Sequence, residues 1–171
     1  NKYTNHFYFM NLALDQAIKT LGNTKNNPAV GCVITKNNQV IGVGCTGING
    51  RPHAEQNAIN FSKINLKNTN LYVTLEPCSH YGKTPPCVNA IVKSKIKKVL
   101  FSLNDPDYRS YNKSTNLLKR NKIKVQNRIL LSDTEQFYKS YFKYKKNFFP
   151  LVTAKLAISR DLYTKNKKKR W

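Results

Sequence analysis

An α/β fold, a sheet covered by helices on both faces, is what this sequence predicts. Three observations lead there. Strand-like and helix-like stretches alternate along the chain; two neighbouring strands are joined by a short polar connection, the mark of a hairpin; and 171 residues hold one full core but not two.

Residues 5–21 place Met10, Ala13, Leu14, Ala17, Ile18 and Leu21 on one helical face, and Gly22 supplies a stop. Asn27-Pro28 marks a turn, after which Ala29 to Thr35 and Gln39 to Cys45 read as strands around Lys36-Asn37-Asn38. A glycine-rich loop from Gly44 to Pro52 leads to a helix that His53 opens and that reaches Lys63, with Ala54, Ala58, Ile59 and Phe61 inward. Leu71 to Leu75 is a buried strand and Glu76 to Thr84 the loop at its end. Pro85-Pro86-Cys87 then starts a helix that runs to Ser94, because proline fits a first helical position. Ile96 to Leu103 is a strand, 112–121 a helix with Leu117 and Leu118 inward, Ile123 to Val125 a further strand, and Asp133 to Lys146 a last helix. Phe148 to Ile158 is strand-like once more, and Asp161 to Trp171 is polar and strongly basic.

Thirty Lys and Arg against eight Asp and Glu give a net charge of +22, a balance that ordinarily raises a nucleic acid, an anionic membrane or a phosphorylated substrate as partner. The lysines are scattered through loops and solvent faces alike, with one dense run at Lys165 to Arg170, so nucleic acid is discounted. No stretch has the length of a membrane span and the first residues lack the apolar core of a signal peptide; a soluble cytoplasmic protein is the expectation. In a reducing compartment Cys78 and Cys87 suit a metal better than a disulfide, whereas Cys32 and Cys45 sit in strand patterns as small buried hydrophobes.

The chemistry gathers at Pro52-His53-Ala54-Glu55, Glu76-Pro77-Cys78 and Cys87. An imidazole and two thiols are zinc ligands, and three protein ligands leave one position for water, whose acidity the metal raises. Glu55, two residues from His53 in a first helical turn, need not be a ligand and can take the water's proton and pass it to a substrate. Zinc deaminases carry H-x-E followed by P-C-x-x-C; here eight residues, Ser79 to Pro86, stand between the cysteines. Each part alone is weak: a lone His-x-Glu is common, and two cysteines can be a structural half-site or core thiols. Joined in order, with only three good ligands, they favour an open catalytic site. His80 could serve as a fourth ligand, but its polar loop suits a substrate contact better, and His6 reads as a plain helix-face histidine.

Three stretches read together carry a resemblance: Asn27-Pro28-Ala29-Val30-Gly31-Cys32-Val33, Pro52-His53-Ala54-Glu55, and Thr74-Leu75-Glu76-Pro77-Cys78-Ser79-His80-Tyr81-Gly82-Lys83-Thr84-Pro85-Pro86-Cys87. They resemble the deaminase domain of the bifunctional riboflavin-biosynthesis deaminase/reductase, whose long spacer sets it apart from cytidine, adenosine and tRNA deaminases. The resemblance covers residues 5–147 and implies a cytidine-deaminase-like three-layer α/β/α sandwich with a mixed central sheet of five strands. It implies one Zn2+ and a reaction, hydrolysis of the 2-amino group of 2,5-diamino-6-(5-phosphoribosylamino)pyrimidin-4-one to the corresponding uracil and ammonia. Matched residue by residue, it assigns His53, Cys78 and Cys87 to zinc and Glu55 to the proton shuttle. Asn27, Ala54, His80 and Lys83 become substrate contacts, with the Lys83 ammonium suited to the phosphate. Homo-oligomers are expected from the family alone.

The chain departs from the family's pattern in three places. A histidine of the loop after the second strand reads Thr46, and the usual Asp-Pro-Asn-Pro reads Asp105-Pro106-Asp107-Tyr108, with Asn112 and Ser114 for the glycines that follow. Phe149 to Asp161 resembles the opening strand of the reductase domain. Residues 1–147 are therefore expected to form the deaminase domain, and 148–171 the vestigial or truncated start of a reductase domain, a strand and a loosely ordered tail, either in a fragment of a longer protein or in a deaminase whose reductase is lost or encoded separately. No NADPH is expected to bind, and any reductase would be a separate partner. The competing functions are a nucleic-acid or nucleoside base deaminase, on the charge, and a zinc-stabilised binding module without catalysis, on the departures.

Overall fold

Alternation along the strands sets the layers of this computed structural model, which describes residues 2–164. In β1 (Gly31–Lys36), Cys32 and Ile34 face one side while Val33 faces the other. The same division holds for Leu71 and Val73 against Tyr72 in β3 (Asn70–Leu75), and for Val99 and Phe101 against Leu100 in β4 (Lys98–Leu103). On the first side they meet α2 (Ala54–Phe61), α3 (Cys87–Lys93) and α4 (Lys113–Arg120) through Ala58, Ile91 and Leu118. On the second lies α1 (Lys2–Thr20) with Phe9, Met10 and Ala13, beside α5 (Leu131–Asn147) with Tyr138. With β2 (Gln39–Cys45) and β5 (Lys124–Gln126) the sheet has the order β2-β1-β3-β4-β5. It is mixed: β1 runs antiparallel to β2 and β3, while β3, β4 and β5 are parallel. The expected three-layer α/β/α sandwich is the fold observed.

Polar groups inside the second layer are paired. Thr74 Oγ1 lies 2.6 Å from Tyr138 Oη, which itself donates to the Ala29 carbonyl at 2.9 Å, and Ser102 Oγ lies 2.5 Å from Thr134 Oγ1. These bonds dock α5 on β3 and β4, because a buried hydroxyl without a partner is costly. His6, expected as a plain helix-face histidine, also ties α1 to the sheet, with its Nδ1 2.8 Å from Tyr72 Oη.

Close approach of helix and strand requires glycine at the head of β1. A Cβ on Gly31 would stand 1.8 Å from the Ala13 carbonyl oxygen and 2.6 Å from the Ala17 nitrogen, both backbone atoms of α1. Gly31→Ala will therefore push helix from sheet and lower stability by about 3 kcal/mol, read as a fall in the denaturant midpoint with unchanged slope. An unchanged midpoint would show that α1 shifts freely.

The boundaries depart from the sequence-based ones in an informative way. His53 is not the first helical residue but the N-cap of α2, with extended backbone at φ −71° and ψ 157°. Ile18 and Leu21, expected inward, are exposed, because the buried stripe of α1 runs through Met10, Ala13, Ala17 and Thr20. Thr20 takes the inward place by donating its hydroxyl to the Thr46 carbonyl at 2.6 Å. Phe61, at the end of α2, is likewise exposed. The strand expected at 148–158 does not form: these residues have no ladder partner, and Val152 and Leu156 face solvent. A strand without a sheet edge leaves its backbone groups to water, which removes the reason to be one. Lys165 to Arg170 and the rest of the basic tail lie outside the described residues. Among the described residues, no helix is long and apolar enough to cross a membrane.

Candidate active site

The head of β1, the tail of β2 and the carboxyl ends of β3 and β4 share one edge of the sheet, since Gly31 pairs with Cys45 and Cys32 with Val73. A crevice outside the carboxyl ends of parallel strands is the usual place for a site in an α/β sheet. Each candidate ligand comes from a rigid end of an element: His53 caps α2, Cys78 follows β3 by three residues, and Cys87 begins α3. Their ligand atoms lie within 4.8 Å of one another. Zinc–sulfur and zinc–nitrogen bonds of about 2.3 and 2.05 Å at tetrahedral angles would set sulfur and nitrogen about 3.6 Å apart. Here His53 Nδ1 lies 3.5 Å from Cys78 Sγ and 3.3 Å from Cys87 Sγ. The donor set and its spacing thus fit a zinc ion, with Nδ1 as the ligating nitrogen.

Of the three ligands, Cys78 alone already has the protonation a metal needs. Cys78 is held down at about 4, first by the bond from the Cys87 thiol and then by His53; the Cys87 backbone N–H also donates to its sulfur at 3.2 Å. Cys87 is pushed up by the same thiol–thiolate bond and by burial, so a cation would have to displace its proton. His53 is raised chiefly by its bond to Cys78. Glu55 is 4 % exposed, and burial lifts its carboxyl to about 7, with the Cys78 charge adding to the effect. A carboxyl poised there can accept and release a proton near neutral pH.

A cavity of about 480 Å³ opens onto this group, and Asn27, His53, Glu55, Cys78, His80 and Lys83 line it. Two expected site residues do not line it. Cys87 is buried behind Cys78, and the Ala54 side chain sits in the core below α2. Asn27 spends one amide N–H on the Gly50 carbonyl at 3.0 Å. Thr46 lines the cavity but turns its hydroxyl to the main chain, accepting from Val30 N at 2.9 Å and donating to the Pro28 carbonyl at 3.1 Å. In this chain, then, the Thr46 side chain braces the loop that carries Asn27.

Several residues of the site act in ways that no motif announced. Glu76, 3 % exposed, accepts from Asn104 Nδ2 at 2.9 Å, Asn112 N at 3.1 Å and Ser114 Oγ at 2.6 Å. It ties the strand before Cys78 to the start of α4, and two of its partners, Asn112 and Ser114, are residues where the chain departs from the expected pattern. Glu76→Ala will leave Ser114 Oγ and Asn112 N without this acceptor and cost about 3 kcal/mol, with zinc content as a second readout. A variant as stable as the parent would contradict this brace. Ser110, fully buried, lies 2.9 Å from His80 Nδ1, so the other ring nitrogen of His80 remains for the cavity. On the far wall, burial raises Asp105 to about 6, while the Arg109 guanidinium holds Asp107 well below the carboxylate range. The sequence marked this loop only as a departure, Asp105-Pro106-Asp107-Tyr108 in place of the family's pattern.

Comparison with known proteins turns on the same residues. A family model described as the cytidine and deoxycytidylate deaminase zinc-binding region matches residues 3–103. The diaminohydroxyphosphoribosylamino-pyrimidine deaminase of Buchnera aphidicola subsp. Acyrthosiphon pisum is 39% identical over 146 residues, 85% of this chain and 99% of that one. The chain belongs to this family of zinc-binding deaminases. The riboflavin biosynthesis protein RibD of Bacillus amyloliquefaciens is 41% identical over 154 residues, 90% of the chain but 42% of that relative. The chain therefore spans less than half the length of such relatives. Acinetobacter baumannii RibD superposes with a TM-score of 0.83 at 37% identity, over 88% of this chain and 42% of that one. Both the resemblance read from the motifs and the sandwich it implied agree with these deaminases.

Proposed function

We propose that the chain catalyses hydrolytic deamination of 2,5-diamino-6-(5-phosphoribosylamino)pyrimidin-4(3H)-one, giving 5-amino-6-(5-phosphoribosylamino)uracil and ammonia in riboflavin biosynthesis. One observation carries the reading: the buried Glu55 carboxyl lines one cavity together with His53 and Cys78, two corners of the His53, Cys78, Cys87 triangle. His53, Cys78 and Cys87 would hold the zinc ion, which when bound supplies the Lewis acidity that makes water a nucleophile at neutral pH.

The chain's own residues do the rest. Glu55 takes a proton from the attacking water and delivers it to the ring nitrogen, so that C2 gains oxygen while the ring holds the proton. It then carries the second proton to the amino group, the C2–N bond breaks, and ammonia leaves. His80 directs a ring nitrogen to a polar edge of the pyrimidine, Asn27 offers its remaining amide groups to another, and the Ala54 main chain flanks the ring. Lys83 pairs with the phosphate. Residues 148–171 fit the beginning of a reductase domain, a reading supported by the exposed apolar side chains Val152 and Leu156; a reductase is the partner that would use the product.

A substrate panel with zinc-loaded protein tests this: the phosphoribosylated diaminopyrimidine, cytidine, and tRNA at physiological salt. Ammonia is expected from the first alone. Ammonia from tRNA in place of it would favour a nucleic-acid deaminase.

A further inference from the structure

Five cationic side chains line the cavity, and they are not equivalent. Asp107 takes two of them: Arg109 donates to it through Nε at 2.8 Å and Nη2 at 2.6 Å, and Lys145 Nζ stands 3.6 Å away. With Asp105 beside Asp107, two carboxyls face these two cations, and that wall is neutralised. Among the described residues, no ion pair joins Lys25, Arg51 or Lys83 to a carboxylate. Lys25 and Lys83 are exposed, whereas Arg51 is half-buried.

Arg51 is also held in place. Its Nη1 donates to Thr84 Oγ1, and its Nη2 stands where a Cβ added to Gly82 would meet it at 3.5 Å. Both contacts belong to the long spacer between the cysteines, which also carries Lys83. The guanidinium keeps further N–H donors, in a planar fork that matches two oxygens of a phosphate. Arg51 precedes His53 by two residues, so an anion it binds sits at a set distance from the metal ligand. A pre-oriented guanidinium without a carboxylate, in a cavity that also holds a lysine without one and whose other wall is already neutralised, is an arrangement for a dianion.

We propose that Arg51 is a specificity-determining residue that clamps the substrate phosphate together with Lys83. The inference deepens the deaminase reading and rests on it. The bland alternative is that Arg51 only staples the spacer loop through Thr84, in which case its loss would affect phosphorylated and unphosphorylated substrates alike.

The experiment compares kcat/KM for the phosphoribosyl substrate and its dephosphorylated counterpart in the parent, Arg51→Ala and Arg51→Lys proteins, each loaded with zinc. The expected result is a fall of about 10- to 100-fold in the ratio of the two values for Arg51→Ala, the worth of one charge-assisted hydrogen-bond pair. Arg51→Lys keeps the charge without the fork and gives an intermediate ratio; it carries the test alone if the alanine variant does not fold. A ratio equal to the parent's in both variants overturns the clamp while leaving the deaminase reading intact. A zinc-loaded parent that deaminates neither compound overturns the deaminase reading, and the clamp falls with it.

Discussion

Glu55→Gln will lower kcat/KM for the phosphoribosylated pyrimidine by about 100- to 10,000-fold while zinc stays bound at one ion per chain. Glutamine keeps the size and a hydrogen-bonding end but cannot accept the water's proton or return it. The side chain is 4 % exposed in the first turn of α2, so bulk water is poorly placed to substitute for it. Its carboxyl, raised to about 7 mainly by burial, is already tuned for exchange in both directions. Metal content separates the two roles open to a carboxylate here. Retained zinc with lost turnover identifies a proton shuttle; lost zinc would make Glu55 a ligand instead.

Removing the metal, or a ligand to it, has an equally large expected effect. A strong chelator should abolish deamination, and added zinc should restore it. Cys78→Ala and His53→Ala should bind no zinc at stoichiometric concentration and show no measurable activity, because two remaining ligands do not hold the ion in an open site. Stability should fall as well, since binding free energy at such a site adds to folding free energy. Proton competition fixes the direction with pH. Cys87 and His53 both have raised proton affinity in the metal-free protein, so zinc binding weakens as pH falls and these groups keep their protons. Metal titrations at a series of pH values would read that slope directly.

What the sequence disclosed follows from how each feature is encoded. The zinc ligands and Glu55 were legible because the chemistry demands particular residue types in short, ordered stretches, and the strands because Cys32, Val33, Ile34 and Leu71 to Leu75 alternate or run apolar between turns. Glu76 was not legible as a brace, since its partners Asn104, Asn112 and Ser114 lie 28 to 38 residues away and have no individual signature. Ser110 and Arg51 were hidden for the same reason: their partners, His80 and Thr84, lie 30 and 33 residues away. Helix faces were misjudged where a polar residue bonds inward. Thr20 displaced Ile18 and Leu21 from the buried stripe by bonding to Thr46, an exchange that hydrophobic periodicity cannot foresee. The apolar pattern of 148–158 reports strand propensity, but a strand also needs a neighbour, and no sheet edge adjoins it among the described residues.

Hydrolytic exchange of the pyrimidine 2-amino group for oxygen is the step on which every other functional statement depends. Incubating the zinc-loaded protein with the phosphoribosylated diaminopyrimidine in heavy-oxygen water, and analysing the product by mass spectrometry alongside an ammonia assay, tests it most directly. The expected product is the aminouracil with one heavy oxygen on the ring and one ammonia per turnover, both absent with Glu55→Gln. Unchanged diaminopyrimidine in the presence of fully loaded zinc would contradict it.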